Sequence, residues 1–201
     1  MAKLGRPLAM SADDRRKEIF NVAEKLFGEY GFEQVSMSQI ATAAAMSKKT
    51  LYVYFADKKQ LLQSLVASSY IWSDDVDAVQ MADPVLALQQ LLKHIVQHVL
   101  SERHIKLCRL AIAEHINIEG STQTFYEMGI LNSRNHLVGA LQRIPTREYR
   151  LQFDAEHMAD ILFGAIIAKP FIDALIIGQA ANFSHIEQVL EKTMQQFFVS
   201  T

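Results

Sequence analysis

Apolar side chains recur along the chain at intervals of three and four residues, which is the spacing of one face of an α-helix. The first such stripe predicts an amphipathic helix over residues 11–30, which Gly31 ends. No strand-like alternation competes with this pattern, so the sequence predicts an all-α fold of about nine helices. Asp57, Asp83 and Asp154 are predicted N-caps, with a proline in the first turn after Asp83. The later helices are predicted from Asp57 to about Val79, from Asp83, from about His104 to His115, from Ser121 to about Ile144, from Asp154 to about Ile177, and from Ser184. Pro170 is predicted to kink or break the helix that Gly178 terminates.

Two short predicted helices lie between Ser36 and Phe55 and are joined by a tight turn. Ser36 and Gln39 have the spacing of a capping box, and Ser47 is a natural N-cap for the second helix. Polar residues 48–50 follow that cap, and Leu51 and Phe55, four residues apart, can anchor the inner face of the second helix. This layout predicts a helix-turn-helix, whose second helix presents its N-terminal side chains to the major groove of DNA.

The run over residues 31–62 resembles the DNA-binding domain of the TetR family of bacterial repressors, most specifically at the stretch LYVYFADK over residues 51–58. The resemblance covers about the first sixty residues, and the remainder is similar to the family in length and helical pattern. The implied parts are an arm at residues 1–10, a three-helix helix-turn-helix DNA-binding domain at residues 1–60 with a recognition helix at about residues 47–54, and a larger helical domain at residues 61–201 for effector binding and dimerisation.

Two positions depart from the pattern of the family. Ala45 stands where the turn usually has a glycine, which predicts a slightly strained or altered turn. Val53 stands where many relatives carry a polar aromatic residue, so one contact to DNA is predicted to be missing.

Lysines at the start of the predicted recognition helix are the side chains best placed to reach DNA, since lysine contacts guanine O6 and N7 or a phosphate. Lys58 begins the next helix, where a cation opposes the helix dipole. A docked phosphate or simple solvation would explain it, and the resemblance favours the phosphate. The N-terminal arm is either a floppy terminus or a second contact to DNA. The predicted DNA-binding residues are Lys3, Arg6, Ser36, Ser47, Lys48, Lys49, Thr50, Tyr52, Tyr54 and Lys58.

Charge is unevenly divided along the chain. Residues 1–60 carry ten Lys and Arg and seven Asp and Glu, whereas residues 61–201 carry ten and fifteen. This division fits a DNA-binding module joined to a part that does not touch DNA, although a chance imbalance would look the same. The single cysteine and the absence of an apolar leader fit a cytoplasmic protein, associated with the nucleoid when bound to DNA. The apolar stretch at residues 161–177 is short and interrupted by charges, so no membrane partner is expected.

The last two predicted helices carry more large apolar side chains than one edge of a small domain needs. These side chains either fill the core of the chain or pair with their symmetry mates. The resemblance favours the second, because these helices form a four-helix bundle across the dimer in the family. A dimer also places two recognition helices on a palindrome. The predicted dimer interface consists of Ile166, Phe171, Leu175, Val189, Met194 and Phe197.

An effector pocket is implied by the resemblance, among the fourth to eighth helices, and the apolar composition of the C-terminal body predicts a small apolar or aromatic effector. His94 and His98 have a spacing that can chelate a metal, but no third ligand has a matching spacing, so neither a metal nor another cofactor is predicted. Cys108 is either a buried small hydrophobe or a redox-sensing thiol. The pocket candidates, each equally compatible with a core position, are Trp72, His98, Cys108, Phe125, Tyr126 and Phe163.

The sequence therefore predicts a DNA-binding transcriptional repressor, a homodimer on double-stranded, palindromic operator DNA that a small-molecule effector releases. One alternative is a ligand-responsive activator or dual regulator of the same fold. Another is a ligand-binding dimer with little specific affinity for DNA, which would have no need of adjacent cations at residues 48 and 49. The sequence contains no glycine-rich phosphate loop, nucleophile elbow or paired-cysteine cluster, so an enzyme is not expected.

Overall fold

All regular elements that the structure describes are helices, which confirms the predicted fold class. The chain divides into an N-terminal unit of residues 1–65 and a C-terminal unit of residues 66–201, and the boundary lies within the fourth helix. This computed structural model describes residues 11–69, 83–113, 126–145, 147, 149 and 153–198.

The N-terminal unit contains three helices and most of a fourth. Their bounds are α1 Ala12–Tyr30, α2 Met37–Ala43, α3 Lys48–Tyr54 and α4 Lys58–Ser68. Ser11 caps α1 by accepting a hydrogen bond from the Asp14 N–H, and Gly31 ends it at a φ of 80°. A residue with a side chain adopts such a φ only at a cost, so the glycine sets where α1 stops.

Apolar side chains from all four helices contribute to the core of this unit. The ring of Phe27 on α1 lies 5.2 Å from that of Phe32, and the ring of Phe20 lies 5.5 Å from that of Phe55 (centroid to centroid). Leu51 of α3 is fully buried, which orients the opposite face of that helix toward solvent. Burying one leucine contributes roughly 1.5–3 kcal/mol, so the orientation of α3 is strongly fixed. The other fully buried members are Ile19, Ala23, Ile40, Leu61, Leu62 and Leu65.

The described part of α4 is shorter than the sequence predicted. Asp57 accepts from the Gln60 N–H and caps the helix as expected. The helix ends at Ser68, where the Ser69 N–H bonds to the Val66 carbonyl in a tighter turn, whereas the apolar pattern predicted a helix to about Val79. The remainder of that predicted helix lies outside the described residues.

The C-terminal unit is built around one large apolar core. Its helices are α5 Pro84–Val99, α6 Glu102–Ala113, α7 (a π-helical turn Tyr126–Leu131 and an α-helix Asn132–Gln142), α8 (Ala155–Phe163, Gly164–Ala168, Lys169–Ile172 and Asp173–Ile177) and α9 Phe183–Phe197. Asp83 caps α5 by accepting from two N–H groups, with proline in the first turn, as predicted. The stripe that includes Leu88, Leu92 and Ile95 lies in the core. α7 packs against α5 and α8, and α9 packs against α5.

α8 continues past a proline that was predicted to kink or break it. Pro170 lies in the short α-helical segment Lys169–Ile172, and the segments on either side of it are π-helical. Proline removes one hydrogen bond from the ladder, and the wider π turns accommodate its ring without interrupting the helix. Gly178, at a φ of 73°, ends α8 as predicted. No helix in the described ranges is long and apolar enough to span a membrane.

Two predicted helix starts are corrected by capping hydrogen bonds. α9 begins at Phe183 rather than Ser184, because the Asn182 side chain accepts from the His185 N–H at 3.1 Å and acts as its N-cap. α6 begins at Glu102 rather than His104, because Ser101 Oγ accepts from the His104 N–H at 3.2 Å. Both caps lie outside the apolar stripes from which the starts were predicted.

Candidate nucleic-acid interface

α3 is held in place by its own cap and by one buried anchor. The Thr50 N–H donates to Ser47 Oγ at 3.0 Å, and the two hydroxyl oxygens lie 2.8 Å apart. Leu51 fills the core on the inner face. The start of the helix is therefore fixed at the residue that the sequence predicted, with its first turn in solvent.

The outer face of α3 is basic and contains no acidic side chain. Lys48, Lys49, Thr50, Tyr52 and Val53 are all exposed. No Asp or Glu occurs over residues 34–56, which contain both α2 and α3. A surface with two cations and no carboxylate attracts the phosphates of DNA, and its exposed side chains are available to base edges.

The two tyrosines of α3 have different environments. Tyr52 is exposed, and the Lys48 Nζ lies 5.9 Å from the centroid of its ring, a cation–π distance. Tyr54 is half-buried. The structure thus brings Lys48, Lys49, Thr50 and Tyr52 together on one exposed face, with Tyr54 at its edge.

Ser36 and Gln39 form the predicted capping box at the start of α2. Gln39 Oε1 accepts from the Ser36 N–H at 2.8 Å, and Ser36 Oγ accepts from the Gln39 N–H at 3.3 Å. Ser36 Oγ also donates to Gln39 Oε1 at 2.7 Å. The hydroxyl of Ser36 is therefore committed to the helix cap, although the residue is exposed.

Lys58 makes contacts within the N-terminal unit that the sequence did not predict. Its Nζ donates to the Phe32 carbonyl at 2.6 Å and to the Glu33 carbonyl at 3.3 Å, and lies 4.2 Å from the centroid of the Phe32 ring. These contacts join the start of α4 to the loop between α1 and α2. An ammonium has three donors, so one remains for a phosphate.

The turn between α2 and α3 is a Schellman motif formed without glycine. The Met46 N–H bonds to the Ala41 carbonyl at 2.9 Å, and the Ala45 N–H bonds to the Thr42 carbonyl at 3.1 Å. Ala45 has a φ of 48°, the sole positive φ among the described non-glycine residues. The strained turn expected from the alanine is confirmed.

Replacing Ala45 by glycine is expected to stabilise the N-terminal unit by about 0.5–1 kcal/mol. A residue with a Cβ in the left-handed region raises the energy of the folded state by roughly 1–2 kcal/mol, and the greater conformational entropy of glycine in the unfolded chain offsets part of the gain. Thermal denaturation would show a higher midpoint. The control is Ala43→Gly at the end of α2, which should lower the midpoint. A lower midpoint for Ala45→Gly as well would mean that the turn is not strained.

Three predicted pocket residues lie wholly or partly inside the C-terminal unit. Cys108 is fully buried, which matches its interpretation as a small hydrophobe. Phe163 is partly buried against the core. His98 is half-buried, and its ring lies 4.9 Å from that of His104 across the corner between α5 and α6. Tyr126 is more than half exposed, and the predicted Trp72 and Phe125, like the arm residues Lys3 and Arg6, lie outside the described residues.

Burial lowers the pKa of both histidines at this corner. Desolvation, followed by the nearby His98 and Arg103, lowers the pKa of His104 to about 3. Desolvation, His94 and Arg103 lower the pKa of His98. Among the described residues no group of three or more His, Cys, Asp or Glu lies close enough to hold a metal ion.

Two grooves border the turn between α8 and α9. The smaller has a volume of about 240 Å³ and is lined in part by Lys169, Asp173 and His185. The larger has a volume of about 400 Å³ and includes Arg109, which the sequence did not single out. Arg109 donates to the carbonyls of Ala174 and Leu175 at 2.6 and 2.9 Å, at the end of α8. Neither groove is lined by the predicted pocket residues.

The structure separates the predicted dimer residues into two groups. Ile166 and Met194 are buried in the core of their own chain, so they have no surface to offer a partner, and we remove them from the interface. Phe171, Leu175, Val189 and Phe197 are half-buried. Sequence pattern did not distinguish these groups because both consist of large apolar residues at helical spacing.

The two capped helices, with a basic outer face on the second that carries no acidic side chain, have the arrangement of helix-turn-helix DNA-binding proteins. Residues 19–65 match the family model described as bacterial regulatory proteins, tetR family, and residues 86–199 match that of the AefR-like transcriptional repressor, C-terminal domain. The second match covers more than half of the chain, and the chain belongs to the TetR family. This is a family of regulators rather than of enzymes.

Known relatives agree with this assignment. The HTH-type transcriptional regulator AcrR of Shigella flexneri is 27% identical over 108 residues, 52% of this chain and 50% of AcrR. The HTH-type transcriptional repressor NicS of Pseudomonas putida is 29% identical over 112 residues, 54% of this chain and 52% of NicS. The chain thus spans about half the length of the curated relatives it matches.

The fold extends over nearly the whole chain. The crystal structure of a putative TetR-family transcriptional regulator from Mesorhizobium loti has a TM-score of 0.76 at 24% sequence identity and covers 94% of this chain and 96% of its own. At this identity the likeness establishes the fold, with both units present in both proteins.

Proposed function

We propose that this chain is a transcriptional repressor that acts in the cytoplasm, binds a palindromic DNA operator as a homodimer, and is released by a small-molecule effector. The basic, acid-free outer face of α3 carries this proposal. The repressor assignment is supported by the match over residues 86–199 to a repressor domain and by the relative NicS.

The direct test is binding of the purified protein to its own upstream DNA, titrated against salt and random competitor DNA. We expect tight binding that resists competitor, because base contacts add typically 10³–10⁷-fold to non-specific affinity. Equal binding to any sequence would favour the ligand-binding dimer without specific DNA affinity. A transcription reporter behind the same operator would separate a repressor from an activator by the direction of the change.

The exposed face of α8 supports a homodimer. Ile172 and Ile176 lie on it at a spacing of four residues and are 51% and 73% exposed, beside the half-buried Phe171 and Leu175. An apolar helix face of this kind marks an interaction surface, and a symmetric dimer would bury it twice. Two recognition helices of one dimer would then read half-sites related by the same axis.

Ile176→Asp is expected to weaken dimerisation by more than 100-fold, because each subunit would bury an unpaired carboxylate that costs roughly 2–5 kcal/mol. Sedimentation equilibrium would show a monomer at concentrations at which the wild type is dimeric. The matched control is Ile112→Asp on α6, where the isoleucine is 55% exposed. Equal dimerisation of the wild type and both variants would place the interface elsewhere.

The larger groove in the C-terminal unit is our candidate for the effector site. Its volume of about 400 Å³ lies within the range of small-molecule sites, roughly 300–1,000 Å³, whereas the groove of about 240 Å³ falls below it. Leu100, Ile105 and Phe183 give it an apolar wall for an apolar or aromatic molecule. To move a two-state equilibrium from 1:99 to 99:1, such a molecule must bind the released form about 5.5 kcal/mol more tightly than the DNA-bound form.

A further inference from the structure

Val53 is the most exposed of the large apolar side chains that the structure describes. It lies near the end of α3 with 78% of its surface in solvent. It follows Lys49 by four residues, so the two side chains share one face of the helix. The exposed apolar group therefore lies within the basic outer face rather than apart from it.

The fold does not require an apolar side chain at Val53, because this side chain is exposed and does not contribute to the core. The inner face of α3 is supplied by Leu51, and Phe55 fills the core after the helix. Valine is a poorer helix former than alanine, because its branched Cβ loses rotamer freedom against the preceding turn. An exposed valine thus costs local stability and leaves apolar surface in water.

We propose that Val53 is a specificity residue that contacts the 5-methyl group of a thymine in the major groove. The inference rests on the proposed operator binding. An apolar side chain recognises thymine through this methyl group, which cytosine and guanine do not present in the groove. A branched side chain suits the task, since its single preferred rotamer holds the methyl groups in place without a further loss of freedom.

This role replaces the expectation that a contact is missing at Val53. A polar aromatic side chain would offer a hydrogen bond, whereas valine offers a methyl-to-methyl contact. The position still touches DNA, but it selects thymine by shape and by exclusion of water. Lys49, one turn earlier on the same face, contacts guanine or a phosphate beside it.

The test starts from operator duplexes selected by the wild-type protein from a random pool. Each thymine is then replaced by deoxyuridine, which keeps base pairing and the O4 acceptor and lacks only the methyl group. At one thymine position, replacement in a single half-site should lower the affinity of the wild type about fourfold, which corresponds to one buried methyl group. Replacement at that position in both half-sites should lower it about fifteenfold. On the thymine duplex, Val53→Ala should bind about fifteenfold more weakly than the wild type, because the variant dimer lacks the contact in both half-sites. Deoxyuridine at the same position should cause no further loss of affinity for this variant.

Matched variants keep the result specific. Tyr30→Ala, which removes an exposed aromatic side chain from α1, should keep the full preference for thymine over deoxyuridine. Circular dichroism should show Val53→Ala folded, since the side chain is exposed. A Val53→Ala protein that still discriminates thymine from deoxyuridine at every position would overturn the inference and leave operator binding intact. Failure of the wild type to select any sequence would overturn both.

Discussion

Replacing Lys48 and Lys49 together by alanine is expected to weaken operator binding by about 1,000-fold. The dimer would lose four lysines, and at about 1 kcal/mol for each the sum is about 4 kcal/mol, where 1.4 kcal/mol is tenfold. Both side chains are exposed at the start of α3, so their removal leaves the core intact. The slope of log binding constant against log salt concentration should also become less steep by as much as ~3.6, since each of the four phosphate contacts contributes about 0.9.

The matched control is Lys17→Ala with Lys25→Ala. These lysines are exposed on α1 in the same unit, so the variant has the same change in net charge. We expect a loss of less than tenfold from it. Equal losses in the two double variants would mean that the unit attracts DNA through net charge alone, and that α3 is not the recognition helix. In thermal denaturation, the midpoint temperatures of both variants should lie close to that of the wild type.

Acidification from pH 7 to pH 5 is expected to remove about 2 kcal/mol of stability from the C-terminal unit through His104. The folded chain holds the pKa of His104 at about 3, below its ordinary value of 6.5. Between these two values the unfolded chain binds a proton that the folded chain does not, so falling pH favours unfolding by about 1.4 kcal/mol per pH unit. The stabilisation is complete above pH 6.5 and is lost as the pH falls toward 3.

The surroundings of His104 explain why the charged form is rejected. Burial of the ring, which removes water from the charged form, is the main cause of the lowered pKa of His104. His98, whose ring lies 4.9 Å away between centroids, and Arg103 add positive potential. Urea denaturation at pH 7 and pH 5 measures the effect, with His104→Leu as the test variant. We expect that variant to lose about 2 kcal/mol less than the wild type on acidification. The control is His185→Leu at an exposed position on α9, which should keep the wild-type response.

Features governed by neighbouring residues were predictable from the sequence. The caps at Ser36, Ser47, Asp83 and Asp154 were placed correctly, because a capping hydrogen bond joins residues two or three positions apart. The strained turn at Ala45 was predictable because the resembled family usually has a glycine at this position. The exposed face of α3 followed once Leu51 was assigned to the core.

Features that join distant parts of the chain were not predictable. Lys58 donates to a carbonyl 26 positions away, and no local pattern signals such a bond. The contact of His98 with His104 depends on the angle between two helices. Ile166 and Phe171 look alike in sequence, yet the first is buried in the core of its chain and the second only in part, because the burial of each depends on which distant helices pack against α8.

The sole thiol of the chain is sealed inside the C-terminal core. Because Cys108 is fully buried on α6, a thiol reagent reaches it only when the surrounding helices separate. The labelling rate of the unmodified protein therefore reports how often and for how long this core opens. An effector that tightens the unit would lengthen the labelling time and one that loosens it would shorten it, so the natural sequence already contains a clock for screening ligands.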